Sequence, residues 1–162
     1  MLCEKPFEIS DNPSGKKGMK RKLKIFLDTS ALISGLNSPQ GGAGIILSAF
    51  LADEFFIYIS DQVIEEVQRI IQLKFPLLKT PFLAFLLAQP KIVKTPLIKE
   101  IRKAYKLIQP EDAPILAAAI KLKPDFLITW DIKHFLKKEV VSNVPFIICT
   151  PKEFVQKHWK RR

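Results

Sequence analysis

Lys24-Ile25-Phe26-Leu27-Asp28-Thr29-Ser30 is an apolar run that stops abruptly at an acid and two hydroxyls. A short continuous apolar run predicts a strand buried on both faces, and this one delivers a carboxylate at its end. Open α/β sheets bind ligands in the crevice outside the carboxyl ends of their strands, so Asp28 is a site candidate from its position alone. The design returns late in the chain, where Phe126-Leu127-Ile128-Thr129-Trp130-Asp131 again passes from apolar residues to a hydroxyl and an acid.

Outward from the first strand, Ala31-Leu32-Ile33 opens a helical turn, Pro39-Gln40-Gly41-Gly42 breaks it, and a helical pattern resumes from Ile45 to Glu54. Phe55 to Ser60, rich in aromatic and β-branched residues, predicts a second buried strand. Ser60 or Asp61 then caps a helix in which Val63, Ile64, Val67, Ile70 and Ile71 share one stripe. Glu66 borders that stripe and Glu65 lies nearly opposite, so only Glu66 leans toward the interior.

Leu77 to Gln89 predicts a proline-flanked helix with more apolar surface than solvent exposure requires, the mark of a homodimer or protein-partner contact. Lys91 to Lys94 reads as a short edge strand. Leu97 to Ile108 predicts a two-faced helix, with Ile98, Ile101, Tyr105 and Ile108 on its apolar side. Lys99, Arg102, Lys103 and Lys106 recur on the other side at helical spacing.

Pro110-Glu111-Asp112 starts a helix from Ala113 to Leu122 that is apolar nearly all round, hence central and buried. Pro145 to Cys149 is a further buried strand, and Thr150-Pro151-Lys152-Glu153 is a capping box that opens a terminal helix. Strands alternating with helices imply an α/β fold, a parallel sheet with helices on both faces.

The chain has 162 residues, enough for one domain, and carries a formal charge of +10. That charge favours a polyanionic partner such as nucleic acid, or an acidic protein or membrane surface. Cys3 and Cys149 stand at opposite ends, which argues against a disulfide framework or zinc site and fits a reducing cytosol. No run approaches the roughly 20 apolar residues of a membrane span, and the start lacks a signal peptide's apolar core, so a soluble cytoplasmic protein is expected. Residues 1–18 are polar and aperiodic and read as a disordered extension, with Met19 an alternative translation start. The folded domain is then 19–158, followed by a basic tail, 159–162.

Asp28 and Asp131 at strand ends, with Asp112 and Glu66 on helices behind, have reasons to face one crevice. Held together without a counterion such carboxylates repel, so the arrangement makes sense chiefly around divalent cations. An all-oxygen set suits Mg²⁺ or Mn²⁺ rather than zinc. One or two such ions orient a phosphodiester, lower the pKa of an attacking water and stabilise the leaving oxygen. A basic surface that collects phosphates is coherent with an acidic pocket that cuts them. Gly41-Gly42-Ala43-Gly44, by contrast, lacks the Lys-Ser/Thr of a phosphate-cradling loop and follows no strand, which leaves it as a flexible connector. Aspartyl-phosphate chemistry is disfavoured, since no second Asp stands two residues after Asp28.

These elements together resemble the PIN-domain family, over Lys22 to Val155. The motifs are Leu-Asp-Thr-Ser at Asp28, Ser-Asp-Gln-Val-Ile-Glu-Glu-Val at Glu66, Pro-Glu-Asp-Ala-Pro-Ile-Leu-Ala-Ala-Ala at Asp112 and Thr-Trp-Asp-Ile-Lys-His-Phe at Asp131. The resemblance implies a three-layer α-β-α domain with a mainly parallel central sheet. It further implies that Asp28, Glu66, Asp112 and Asp131 are catalytic and metal-binding, with Ser30 and Thr129 as supporting hydroxyls. The activity implied is that of a metal-dependent endoribonuclease, in small prokaryotic members often the VapC-type toxin of a toxin–antitoxin pair, with RNA and an antitoxin protein as partners. One departure is Gln109, where many members carry an acid; Glu111 is the substitute at hand.

Plainer readings compete. Asp28, Asp112 and Asp131 each stand where a helix or turn begins, a place Asp occupies merely as a cap. Glu66 has no capping duty, although a lysine would hold it equally well. His134 and Trp130 flank Asp131 and read as packing or substrate-side residues. Lys99, Arg102, Lys103 and Lys106 form either a solvated face or an RNA-contact surface. The alternative functions are a catalytically silent RNA-binding or protein-interaction module and a housekeeping RNA-processing nuclease.

Overall fold

The computed structural model describes residues 20–159. The extension 1–18, Met19 and the last three residues of the basic tail lie outside the described residues.

Among the described residues, five parallel strands form one sheet: β1 (Lys24–Leu27), β2 (Phe56–Ser60), β3 (Lys91–Val93), β4 (Phe126–Ile128) and β5 (Ile147–Cys149), in the order β3-β2-β1-β4-β5. The chain runs outward from β1 to β3, returns to β4 beside β1 and continues to β5. Parallel crossovers are right-handed, so these two directions put their helices on opposite faces. The strand order reverses between β1 and β4, which is where ligands bind in such sheets. Register sharpens the point. Leu27 pairs with Ile128 and Ile128 with Cys149, so Asp28, Thr129 and Thr150 leave the sheet at one level.

Burial on both faces explains the uninterrupted apolar strands. Ile25, Phe26, Leu127 and Ile128 are all fully enclosed. Between β1 and β2 come α1 (Thr29–Asn37) and α2 (Gly42–Leu51), and between β2 and β3 come α3 (Asp61–Leu73), a 3₁₀ turn (Pro76–Leu78) and α4 (Lys79–Leu87). Then follow α5 (Ile98–Ala104) and α6 (Ala113–Leu122) before β4, and α7 (Ile132–Phe135) and α8 (Lys138–Val141) before β5. The chain closes with α9 (Pro151–Glu153) and a π-helical turn (Phe154–His158). The capping box is formed as expected, with Thr150 Oγ1 accepting from the Glu153 amide at 3.2 Å and Glu153 reaching back to the Thr150 amide at 3.1 Å. Beyond it Trp159 packs edge-on against Phe55, their centroids 5.7 Å apart.

Several expectations are corrected. α1 begins at Thr29, directly after Asp28, and α2 begins at Gly42 rather than Ile45 and stops at Leu51 rather than Glu54. The glycine-rich stretch is therefore a helix start, not a flexible connector. A Cβ on Gly44 would lie 2.3 Å from the Ser38 carbonyl oxygen and 2.4 Å from the Pro39 carbonyl carbon, so glycine lets the preceding loop fold tightly onto the helix. The helix expected to reach Ile108 ends at Ala104, where the Leu107 amide turns back to the Ala104 carbonyl. Of the four residues assigned to its apolar side, Ile108 is buried and Ile101 packs partly buried on the core, while Ile98 and Tyr105 are exposed and Ala104 takes up the packing. Leu77 sits on the 3₁₀ turn, outside α4, and is 90% exposed.

Candidate metal centre

Asp28 follows β1 and is 4% exposed. It occupies the N-cap position of α1 without a side-chain capping bond, and the backbone donor that favours its charged form is the adjacent Thr29 amide. Its Oδ2 accepts from Thr129 Oγ1 at 2.8 Å and Ser30 Oγ at 3.0 Å. Burial pushes its pKa up from 3.8 to about 6, against the pull of those two hydroxyls and with a further push from the charge of Asp112. Each hydroxyl also has its lone pair engaged. Ser30 accepts from the Trp130 amide at 3.0 Å and Thr129 from the Asp131 amide at 2.9 Å.

Glu66 lies on α3, whose Val63, Val67 and Ile71 are buried and whose start is capped by Ser60. The expected geometry holds: Glu66 is half-buried on the stripe's border while Glu65 is exposed. Its Oε2 accepts from Thr29 Oγ1 at 2.6 Å, so both hydroxyls of Asp-Thr-Ser hold acids. The role of Thr29 escaped sequence reasoning, although its place between Asp28 and Ser30 was the available signal.

Asp112 heads the buried helix α6 and likewise makes no cap bond with its side chain. Gln109 Nε2 donates to its Oδ2 at 2.7 Å. Burial raises its pKa, Gln109 opposes that rise, and among nearby charges Asp131 and Glu66 push it up while His134 draws it down. Asp131 follows β4 and does cap a helix, its Oδ1 accepting from the His134 amide at 3.2 Å. Its Oδ2 lies 2.8 Å from His134 Nδ1, and that nitrogen is 3.8 Å from Oδ2 of Asp112. His134 thus stands among the acids, contrary to its reading as a packing or substrate-side residue. Glu111 is exposed.

The cap reading therefore fails for Asp28 and Asp112 and survives for Asp131 alongside its other contacts. Among the described residues, the four acids pair with no lysine or arginine, and the ion pairs of Asp112 and Asp131 are with His134. Charges that feel one another, are partly withdrawn from water and lack a fixed cationic partner form a donor set suited to a hard divalent cation. A cavity of about 350 Å³ lined by Phe50, Phe55, Phe56 and Lys91 opens at the amino ends of β2 and β3, away from these acids. Lys99, Arg102 and Lys103 are exposed on α5, while Lys106 is exposed beyond its end.

Comparison with known proteins agrees with this architecture. The PIN domain model matches residues 24–133, and the chain belongs to the PIN-domain family. No curated protein matches it. Among solved structures, the chain is similar to VapBC2 from Rickettsia felis bound to a DNA fragment from their promoter, at 21% identity and a TM-score of 0.56, covering 79% of this chain and 98% of that one. It is also similar to PAE2754 from Pyrobaculum aerophilum, at 13% identity and a TM-score of 0.54, with 85% and 92% covered. A third similarity is to the sarcin-ricin loop cleaving toxin VapC20 of Mycobacterium tuberculosis, at 13% identity and a TM-score of 0.50, with 74% and 95% covered.

Proposed function

We propose that this protein is a metal-dependent endoribonuclease that hydrolyses RNA phosphodiesters, with Asp28, Glu66, Asp112 and Asp131 as the residues that hold Mg²⁺ or Mn²⁺. The observation that carries this reading is the linked set of acids at the β1/β4 switch point, which among the described residues pairs with no lysine or arginine. Such an ion, when bound, orients a phosphodiester, polarises an attacking water and stabilises the leaving oxygen.

The chain's own residues supply the rest. Thr129 and Ser30 fix the rotamer of Asp28, Thr29 fixes Glu66, and Gln109 fixes Asp112. Because burial raises the pKa of Asp28 and of Asp112, a cation held there would favour their charged forms, with protons as its competitors. Lys99, Arg102, Lys103 and Lys106 then serve as the phosphate-collecting surface, on and just beyond the helix packed against α6.

Within that reading the protein is the toxin of a toxin–antitoxin pair in the cytoplasm. The likeness to VapBC2 and to the sarcin-ricin loop cleaving toxin supports it. Leu73, Phe75, Leu77, Leu83 and Leu87, exposed from the end of α3 through α4, supply the apolar surface for a homodimer or an antitoxin. No helix among the described residues is long and apolar enough to cross a membrane.

The test is cleavage of a mixed RNA pool by the wild type with Mg²⁺, by the wild type with chelator, and by Asp28→Asn with Mg²⁺. Cleavage is expected only in the first. Equal cleavage in all three, or none in any, would overturn the proposal.

A further inference from the structure

Asp112, Asp131 and His134 each offer one ligand atom, and those atoms lie within 4.8 Å of one another. Nδ1 of His134 is 2.8 Å from Oδ2 of Asp131 and 3.8 Å from Oδ2 of Asp112. Ligand atoms about 2.1 Å from a shared ion stand roughly 3 to 4 Å apart, so only a small adjustment separates these groups from a chelating arrangement.

Gln109 Nε2 donates to Asp112 at 2.7 Å and stands 3.2 Å from Nδ1, so one amide side chain orients both the acid and the imidazole of the group.

We propose that Asp112, Asp131 and His134 form a nitrogen-bearing cation position that selects a first-row transition ion such as manganese over magnesium. The proposal rests on the nuclease reading and deepens it by naming the ion. Magnesium takes oxygen ligands and keeps its waters, whereas imidazole is a good donor to first-row transition ions. The departure at Gln109 fits the same picture, because a neutral amide that orients Asp112 leaves the third donor of the position to be a nitrogen.

The experiment measures Mn²⁺ and Mg²⁺ binding to the full chain by calorimetry and reads ligating nitrogen by pulsed electron paramagnetic resonance of bound Mn²⁺. Imidazole nitrogen modulation is expected in the wild type, absent in His134→Gln and retained in His158→Gln. His158, the other histidine of the chain, lies against Phe126 at the far end of β4 and serves as the control. Mn²⁺ affinity is expected to fall roughly 10- to 100-fold in His134→Gln and in His134→Ala while Mg²⁺ affinity stays unchanged. Manganese bound without nitrogen modulation, and indifferent to both His134 variants, would overturn this position and leave the oxygen site standing. No manganese binding at all, with Asp28→Asn and Asp112→Asn equally silent, would remove the nuclease reading with it.

Discussion

Thr129 Oγ1 donates to Asp28 Oδ2 at 2.8 Å, a bond between residues 101 positions apart. Pairing of Leu27 with Ile128 sets the two side by side just beyond the ends of β1 and β4. The same hydroxyl accepts from the amide of Asp131, so one small side chain fixes an acid on each side of the switch point. Packing of the sheet is thereby converted into placement of charge.

Asp28 is held ionised at a cost. Its folded pKa of about 6 stands above the ordinary 3.8, so the folded protein binds that proton more tightly than the unfolded chain does. The resulting stability is fully present below the ordinary value and is lost as pH rises through about 6. At neutral pH and without divalent cations, Asp28→Asn should therefore melt higher than the wild type, by about 3 kcal/mol at most, and the gain should vanish in acid. Adding Mg²⁺ or Mn²⁺ should narrow the gap by stabilising the wild type more. Thermal denaturation against pH, with chelator and with ion, measures both effects, and a variant less stable than chelated wild type at neutral pH contradicts the argument.

Thr129→Val keeps the shape of the side chain and removes its hydroxyl. Asp28 then loses a donor and the Asp131 amide loses its acceptor, a loss worth about 1–3 kcal/mol of stability for a fully buried group. The pKa of Asp28 rises further, so protons compete better with a cation and metal affinity falls. Thr129→Ser, which restores the hydroxyl, should recover most of both. Denaturant unfolding and calorimetry across the three proteins decide it, with a valine variant equal to wild type as the failing result.

Gly44→Ala tests the corrected reading of the glycine-rich stretch. The added methyl would meet the carbonyl oxygen of Ser38 and backbone atoms of Pro39, and backbone cannot swing aside as a side chain does. A loss of about 1–3 kcal/mol is expected from overpacking. Gly41→Ala meets chiefly the Ser38 side chain at 3.1 Å and should cost much less. If the two variants unfold alike, glycine is not needed there for close approach.

What was legible from the sequence was what is local. Apolar runs closed by Asp28 or Asp131, the Ser60 cap and the Thr150 capping box all follow from neighbouring residues, and the parallel sheet follows from their alternation. The length of α5 was not, because the basic spacing from Lys99 continues to Lys106 although the chain has already turned after Ala104. Within the site the acids were readable one by one, each at an element's edge or border. Their partners were not. The Thr29–Glu66 bond spans 37 positions, and the meeting of Gln109, in the turn before α6, with His134 on α7 spans 25. The intended duty of a helix-start Asp was equally invisible, since the same residue caps its helix at Asp131 and leaves it uncapped at Asp28.

The exposed cations of α5 separate capture of RNA from its cleavage. Lys99, Arg102 and Lys103 project from a helix that packs against α6, whose first turn follows Asp112, so a phosphate backbone bound along α5 would lie on an approach to the acids. Replacing all three with alanine removes charge without touching any residue assigned to the metal. Binding of single-stranded RNA by an otherwise intact protein should weaken, and the slope of log affinity against log salt should become shallower by roughly 2, as expected for three lost phosphate contacts. Turnover at saturating RNA should hold while KM rises, because the interaction acts equally on ground and transition states. A loss of turnover with KM unchanged would place these side chains in the chemistry itself, and no change in the salt slope would return them to an ordinary solvated face.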